Sequence, residues 1–187
     1  MPSSLPANAK AVFQSDLFTV YQWPQTLYDG SVKTFECCVR PDCAVVLGFL
    51  NPDTILLTLQ EQPHQAHSFF DLPGGKIEPG EDVEAAAKRE FLEETGYTVG
   101  RLEPWFIDKH HSLIHYNIHF FWGRDLSHVT DHPHLDAGER IKTFTVSREE
   151  LRLYCLQDKL RNRRTSLAWL QLYENTELRT RLDTFLR

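Results

Sequence analysis

The stretch GKIEPGEDVEAAAKREFLEETGY, from Gly75 to Tyr97, constrains this chain more than any other part of it. Its hydrophobic pattern predicts a helix from about Asp82 to Thr95, closed by Gly96, a residue type common at helix C-termini. At about 100° per residue, Val83, Ala86, Ala87 and Glu94 all fall within about 60° of Glu90, with Phe91 just beyond. Two carboxylates four residues apart therefore occupy the middle of the apolar stripe that must face a sheet. Such burial is costly unless the carboxylates are paired or bound to a metal. Arg89 is spaced to reach Glu93, four positions on, but the segment offers Glu90 and Glu94 no partner. An oxygen-seeking cation such as Mg2+ would supply one, since it is commonly held by one or two carboxylates plus substrate phosphates. Gly74 and Gly75 let the backbone come close enough to add a carbonyl ligand. A solvated surface helix is the competing reading, and the alanine–valine stripe argues against it.

Around this helix the chain reads as strands. Val12 to Trp23 and Ser31 to Val39 carry bursts of β-branched and aromatic residues, joined by YDGS with its Asp29–Gly30 hairpin signal. CAVVLGFL and TILLTLQ are two more, separated by the turn formers Asn51, Pro52 and Asp53. HSFFDLPGG reads as a strand edge running into a glycine-rich loop. LEPWFID, LIHYNIHFFWG and RIKTFTV follow as strands, in which Trp105 and Trp122 read as core. Helical sequence then runs from about Arg148 to Leu186, broken near Gln157 or Asn175. Strands, one helix, more strands, then helices point to an α+β fold, an α/β/α sandwich in one domain of residues 11–187 behind a loose tail of residues 1–10.

Composition narrows the function. With a formal charge of -6 over 187 residues the chain has little general pull on phosphate backbones, so nucleic acid is not expected as a partner. A small phosphorylated ligand stays open, because a bound cation reverses the local field. In so acidic a chain DKLRNRR, with Lys159, Arg161, Arg163 and Arg164, reads as a solvated helix face rather than a binding patch. No apolar run suits a signal peptide or membrane span, and Cys37, Cys38, Cys43 and Cys155 show no disulfide framework, so a cytoplasmic protein with reduced thiols is expected. Nine histidines, several between His110 and His134, lack the paired cysteines or the His-Glu-x-x-His helix of a zinc site. In HHSLIHYNIHFFW the alternation puts His115, Asn117 and His119 on the wetter face of a strand.

Gly75, Glu81, Arg89–Glu90, Phe91, Leu92, Glu93–Glu94, Thr95, Gly96 and Tyr97 stand in the order and spacing of a known motif. The segment resembles the Nudix box of the Nudix hydrolases, with Phe91 and Tyr97 where aliphatic residues are more usual. The resemblance implies a mixed central sheet with an N-terminal β-hairpin and C-terminal helices. It also implies an Mg2+-dependent (or Mn2+-dependent) hydrolase of a nucleoside diphosphate linked to another moiety. By position, Glu90 and Glu94 would bind the metal with the carbonyl of Gly74, Glu93 would lie close by, and Arg89 would orient a glutamate. YDGSVKTFECCVRPD and HLDAGERIKTFTVSREEL look like the corresponding parts of ADP-ribose pyrophosphatases and related nucleotide-sugar hydrolases. There Glu139 would be the catalytic carboxylate of a loop, Gly75 would lie at the substrate, and Trp23 would stack a base, often across a homodimer. Gln62 or Pro63 stands where many of those enzymes carry an arginine, which leaves the substrate open: a nucleotide sugar first, a nucleoside triphosphate or dinucleotide next. A module that binds nucleotides without chemistry is a further alternative, although such proteins typically lose a box glutamate.

Overall fold

The computed structural model describes residues 5–131, 135 and 137–187, with His111 described for its backbone alone. Ten strands and four helices follow one another: β1 (Lys10–Gln14), β2 (Thr19–Thr26), β3 (Val32–Val39), β4 (Cys43–Asn51), β5 (Thr54–Glu61), β6 (Phe69–Asp71), β7 (Gly74–Lys76), α1 (Val83–Thr95), β8 (Tyr97–His111), β9 (Ile114–His128), β10 (Arg140–Ser147), α2 (Arg148–Leu156), α3 (Arg163–Glu174) and α4 (Thr176–Phe185). The strands form one mixed sheet in the order β1-β2-β3-β9-β4-β5-β10, with β6 paired to β5, β7 to β4 and β8 to β9. β9 runs parallel to β4 from Cys43↔Ile118 to Gly48↔Gly123, and β5 runs antiparallel to β10 along its whole length.

The period of two along the strands sorts side chains to two cores. Ala44, Val46 and Leu56 pack with Ala86, Ala87 and Phe91 of α1 on one face. Leu47, Phe49, Ile55, Leu57 and Trp122 pack with Trp169, Leu172 and Leu182 of the C-terminal helices on the other. The result is the α/β/α sandwich expected, and both Trp105 and Trp122 are buried in it. Local signals set the helix ends. Asp82 accepts hydrogen bonds from the amides of Glu84 and Ala85 at the start of α1, and Gly96, at φ 74°, closes it through the Leu92 carbonyl. Ser147 and Glu150 form a capping box on α2. The C-terminal helical run breaks at both Gln157 and Asn175.

Four details differ from the sequence reading or extend it. The run from Val12 to Trp23 is two strands, because Ser15 and Phe18 bond to each other across a turn. The glycine pair, read as loop, is a short strand in which Val45 faces Gly74 and Ala44 faces Gly75. His115 is buried and Ile114 is 46% exposed, so the wetter face does not extend to the start of β9. At the N-terminus, residues 1–4 lie outside the described residues, whereas Ala9 is buried and its amide bonds the carbonyl of Pro6. His132 and His134 also lie outside the described residues. Among the described residues, no helix is long and apolar enough to cross a membrane.

Candidate active site

The acidic face of α1 lies against β7, and glycine makes the approach possible. A Cβ at Gly75 would collide with the carboxylate of Glu90, and one at Gly74 would overlap the backbone oxygen of Ala44. The amide of Gly74 donates to Glu94 Oε2 at 3.0 Å. Glu94 is only 6% exposed and makes no ion pair among the described residues. Burial pushes its carboxyl well above the usual range, the Gly74 amide draws it back, and the charges of Glu139, Glu90 and Asp71 push it further up.

Arg89 organises the remaining carboxylates. Its Nε and Nη2 grip both oxygens of Glu81 at 2.8 and 2.9 Å, and Nη1 reaches Glu90 at 2.8 Å and Glu93 at 2.9 Å. Nη2 also donates to the Lys76 carbonyl at 3.1 Å. This fork holds the Glu81 carboxyl down at about 2, helped by the amide of Glu78. The expectation that Glu90 would lack a partner in this segment is thereby corrected, because Arg89 bonds its own neighbour as well as the residue one turn on.

These groups open onto a cleft of about 950 Å3 that includes Gly74, Gly75, Glu90, Glu93, Glu94 and Glu139 in its walls. Glu139 enters from the segment before β10 and is half-buried. Trp23, by contrast, is half-buried on β2, where it packs on Phe35 at 6.2 Å and its indole N–H donates to Gln25. It is not in the cleft wall of its own chain, although Leu17 from the adjoining turn is.

Sequence reasoning passed over several residues of the same cleft. Asp71 lies three positions before the glycine pair, and burial pushes its carboxyl up to about 6. His110 stacks on Tyr116 at 4.4 Å and lies 3.0 Å from Asp108, while Arg40 covers Tyr116 at 4.8 Å. Period-two spacing along β8 and β9 was the available signal for Asp108, His110 and Tyr116. The largest correction concerns DKLRNRR: Arg161, Arg163 and Arg164 are part of the cleft wall and not merely of a solvated helix face.

The donor set fits a hard divalent cation. Glu90, Glu93, Glu94 and the Gly74 carbonyl offer only oxygen, and a cation beside the buried Glu94 would favour the ionised form that burial disfavours. Among the described residues no three His, Cys, Asp or Glu side chains already converge on one ion position. Arg89 holds Glu90 and Glu93, and the Gly74 amide holds Glu94.

The chain is similar to several known proteins. The NUDIX domain family matches residues 39–170. An ADP-ribose pyrophosphatase of Bacillus subtilis is 26% identical over 173 residues, covering 87% of this chain and 90% of that protein. An ADP-ribose pyrophosphatase of Saccharomyces cerevisiae is 37% identical over 133 residues, covering 64% of this chain and 56% of its own length. The crystal structure of an ADP compounds hydrolase superposes with a TM-score of 0.71 at 21% identity, covering 90% of this chain and 91% of the other, which shows the same fold.

Proposed function

From the premise that the chain belongs to the Nudix family, and is thus a diphosphate hydrolase, we propose that it cleaves a nucleotide sugar, ADP-ribose first among them. The products are a nucleoside monophosphate and a sugar phosphate, and the cofactor is Mg2+, with Mn2+ as substitute. The observation that carries this reading is Glu94, a buried carboxylate beside Glu90 and Glu139 in an open cleft. The similarity to two ADP-ribose pyrophosphatases supports the choice of substrate.

Glu90, Glu94 and the Gly74 carbonyl would hold the cation. When bound, it withdraws charge from the phosphate oxygens and acidifies the attacking water. Arg89 keeps Glu90 and Glu93 in place through the fork it shares with Glu81. Water attacks one phosphorus, the bridging P–O bond breaks, and a carboxylate takes the water's proton. Glu139, which enters the cleft from the segment before β10, is the first choice for that base, with Glu93 second. Gly75, without a side chain, leaves room for substrate beside Glu90.

Trp23 lies away from the cleft of its own chain, so it can stack a base only in a second copy. The exposed Val12, Phe13, Val32 and Phe35 of the N-terminal strands support such a homodimer. The four free thiols favour a reducing compartment, and we place the protein in the cytoplasm on that ground.

The test is product analysis with Mg2+ on ADP-ribose, ADP-glucose, GDP-mannose, UDP-glucose, NADH and 8-oxo-dGTP. Monophosphate plus sugar phosphate supports the reading. Pyrophosphate released from 8-oxo-dGTP alone replaces it with triphosphate hydrolysis, and tight binding with no cleavage makes the chain a nucleotide-binding module.

A further inference from the structure

Among the described residues the cleft wall includes six cationic side chains, and four of them are tied to carboxylates. Arg89 is tied to three glutamates, and Lys76 lies 3.3 Å from Glu78. Arg163 forks onto Asp158 at 2.7 and 3.1 Å, and Arg164 lies 3.7 Å from Asp108 and over Phe106. Arg40 also lacks a carboxylate partner among the described residues, but it is half-buried, donates to Cys43 Sγ at 3.3 Å and lies on Tyr116. Arg161 is different. It is exposed, and among the described residues it has no carboxylate within ion-pair distance; its guanidinium rests 4.6 Å over the ring of Phe69.

Its position is nonetheless fixed. Leu160, 2% exposed, pairs with Phe70, and the Arg161 amide donates to the Phe70 carbonyl at 2.8 Å. The backbone of the α2–α3 connection is thus stitched to β6, next to Asp71 in the cleft, and Asp71 feels the Arg161 charge. A guanidinium lying on an aromatic face keeps its N–H groups directed outward along its edge, in the fork that matches two phosphate oxygens. The cleft also needs such a group. Asp71, Glu90, Glu93, Glu94 and Glu139 would repel a diphosphate across the same space.

We propose that Arg161 is a substrate-binding residue of this cleft, gripping oxygens of the diphosphate from the wall built by the α2–α3 connection. The proposal rests on the reading of the cleft as a diphosphate-hydrolase site. Arg161 contributes affinity rather than chemistry, because its contact is made with the bound substrate as well as with the transition state.

The test compares wild type with Arg161→Ala, Arg161→Lys and Arg179→Ala in the full chain. Two readouts are used: binding of inorganic pyrophosphate with Mg2+ by calorimetry, and steady-state hydrolysis of ADP-ribose. Arg161→Ala should weaken pyrophosphate binding about tenfold or more and raise KM by a similar factor, with kcat within about threefold. Arg161→Lys should recover part of the affinity, and it remains informative if the alanine variant fails to fold. Arg179→Ala, an exposed arginine of α4 outside the cleft wall, should match wild type. Unchanged pyrophosphate affinity in both Arg161 variants, or no pyrophosphate binding by wild type, overturns the proposal. If ADP-ribose is not cleaved but Arg161→Ala still loses pyrophosphate, the arginine site stands and only the substrate reading fails.

Discussion

In the middle of the sheet β4 buries Ala44, Val46, Leu47 and Phe49 between α1 and the C-terminal helices, whereas at the N-terminal edge β1 is exposed along its whole length. Val12, Phe13 and Val32 stand more than half exposed, and among the described residues β3 pairs with β9 only at Cys38↔Ile114 and Val39↔His115. The centre is held at several points: Gly75 lies against Glu90, the Gly74 amide donates to Glu94, and Arg89 bonds Glu90 and Glu93. The edge is under-covered, and its exposed apolar side chains are where the proposed homodimer would form. Chemistry requires carboxylates held to a fraction of an ångström, and association requires surface left open, so one sheet can serve both only by dividing the tasks.

Substitutions at the two ends should therefore fail differently. The largest effect is expected at the centre, from Glu139→Gln, which should lower kcat by about 10^2 to 10^4 while leaving Mg2+ affinity largely intact. Single-turnover rates with a metal titration check it, and an unchanged kcat removes Glu139 from the role of base. Glu81→Gln should cost less, about tenfold in kcat, because Arg89 loses its fork and holds Glu90 and Glu93 less firmly.

The same variant has a signature in pH. The Glu81 carboxyl titrates at about 2 when folded against an ordinary 4.5, so its contribution to stability is fully present above the ordinary value and disappears as pH falls toward the folded one. The Tm gap between wild type and Glu81→Gln should be widest at neutral pH and close in acid. A gap that widens in acid would contradict the role given to the fork.

The smallest catalytic effect is expected at the edge. Phe13→Asp should shift the mass seen by sedimentation toward a monomer and raise KM, with kcat changed by less than about threefold. A dimer that persists undisturbed, or a collapse of kcat, would erase the contrast between the two ends.

The same division governs how much was legible in the sequence. The helix of the box was readable almost to the residue, because Asp82 and Gly96 are local signals and the alanine stripe fixes its facing. The inward carboxylates were readable as an anomaly of that stripe. The partnership of Glu90 with Arg89 was not, since side chains one apart on a helix do not ordinarily face each other and here meet only because the guanidinium folds over the turn. Nor was β7, where pairing to β4 overrides the poor strand propensity of glycine. The arginines of DKLRNRR were misjudged because their place in the cleft depends on the bridge from Leu160 to Phe70, a contact ninety residues apart in sequence. Average charge is a statement about the whole surface and says nothing about one wall of one cleft.

The central claim is that Glu94 is buried to meet a cation and a diphosphate, and the most direct measurement is ADP-ribose hydrolysis with and without Mg2+ in wild type and Glu94→Gln, with Tm followed alongside. The expected result is cleavage to AMP and ribose 5-phosphate only with Mg2+, a rise in wild-type Tm on adding the metal, and loss of both responses in Glu94→Gln. A variant that cleaves ADP-ribose at the wild-type rate and keeps its response to Mg2+ would contradict it.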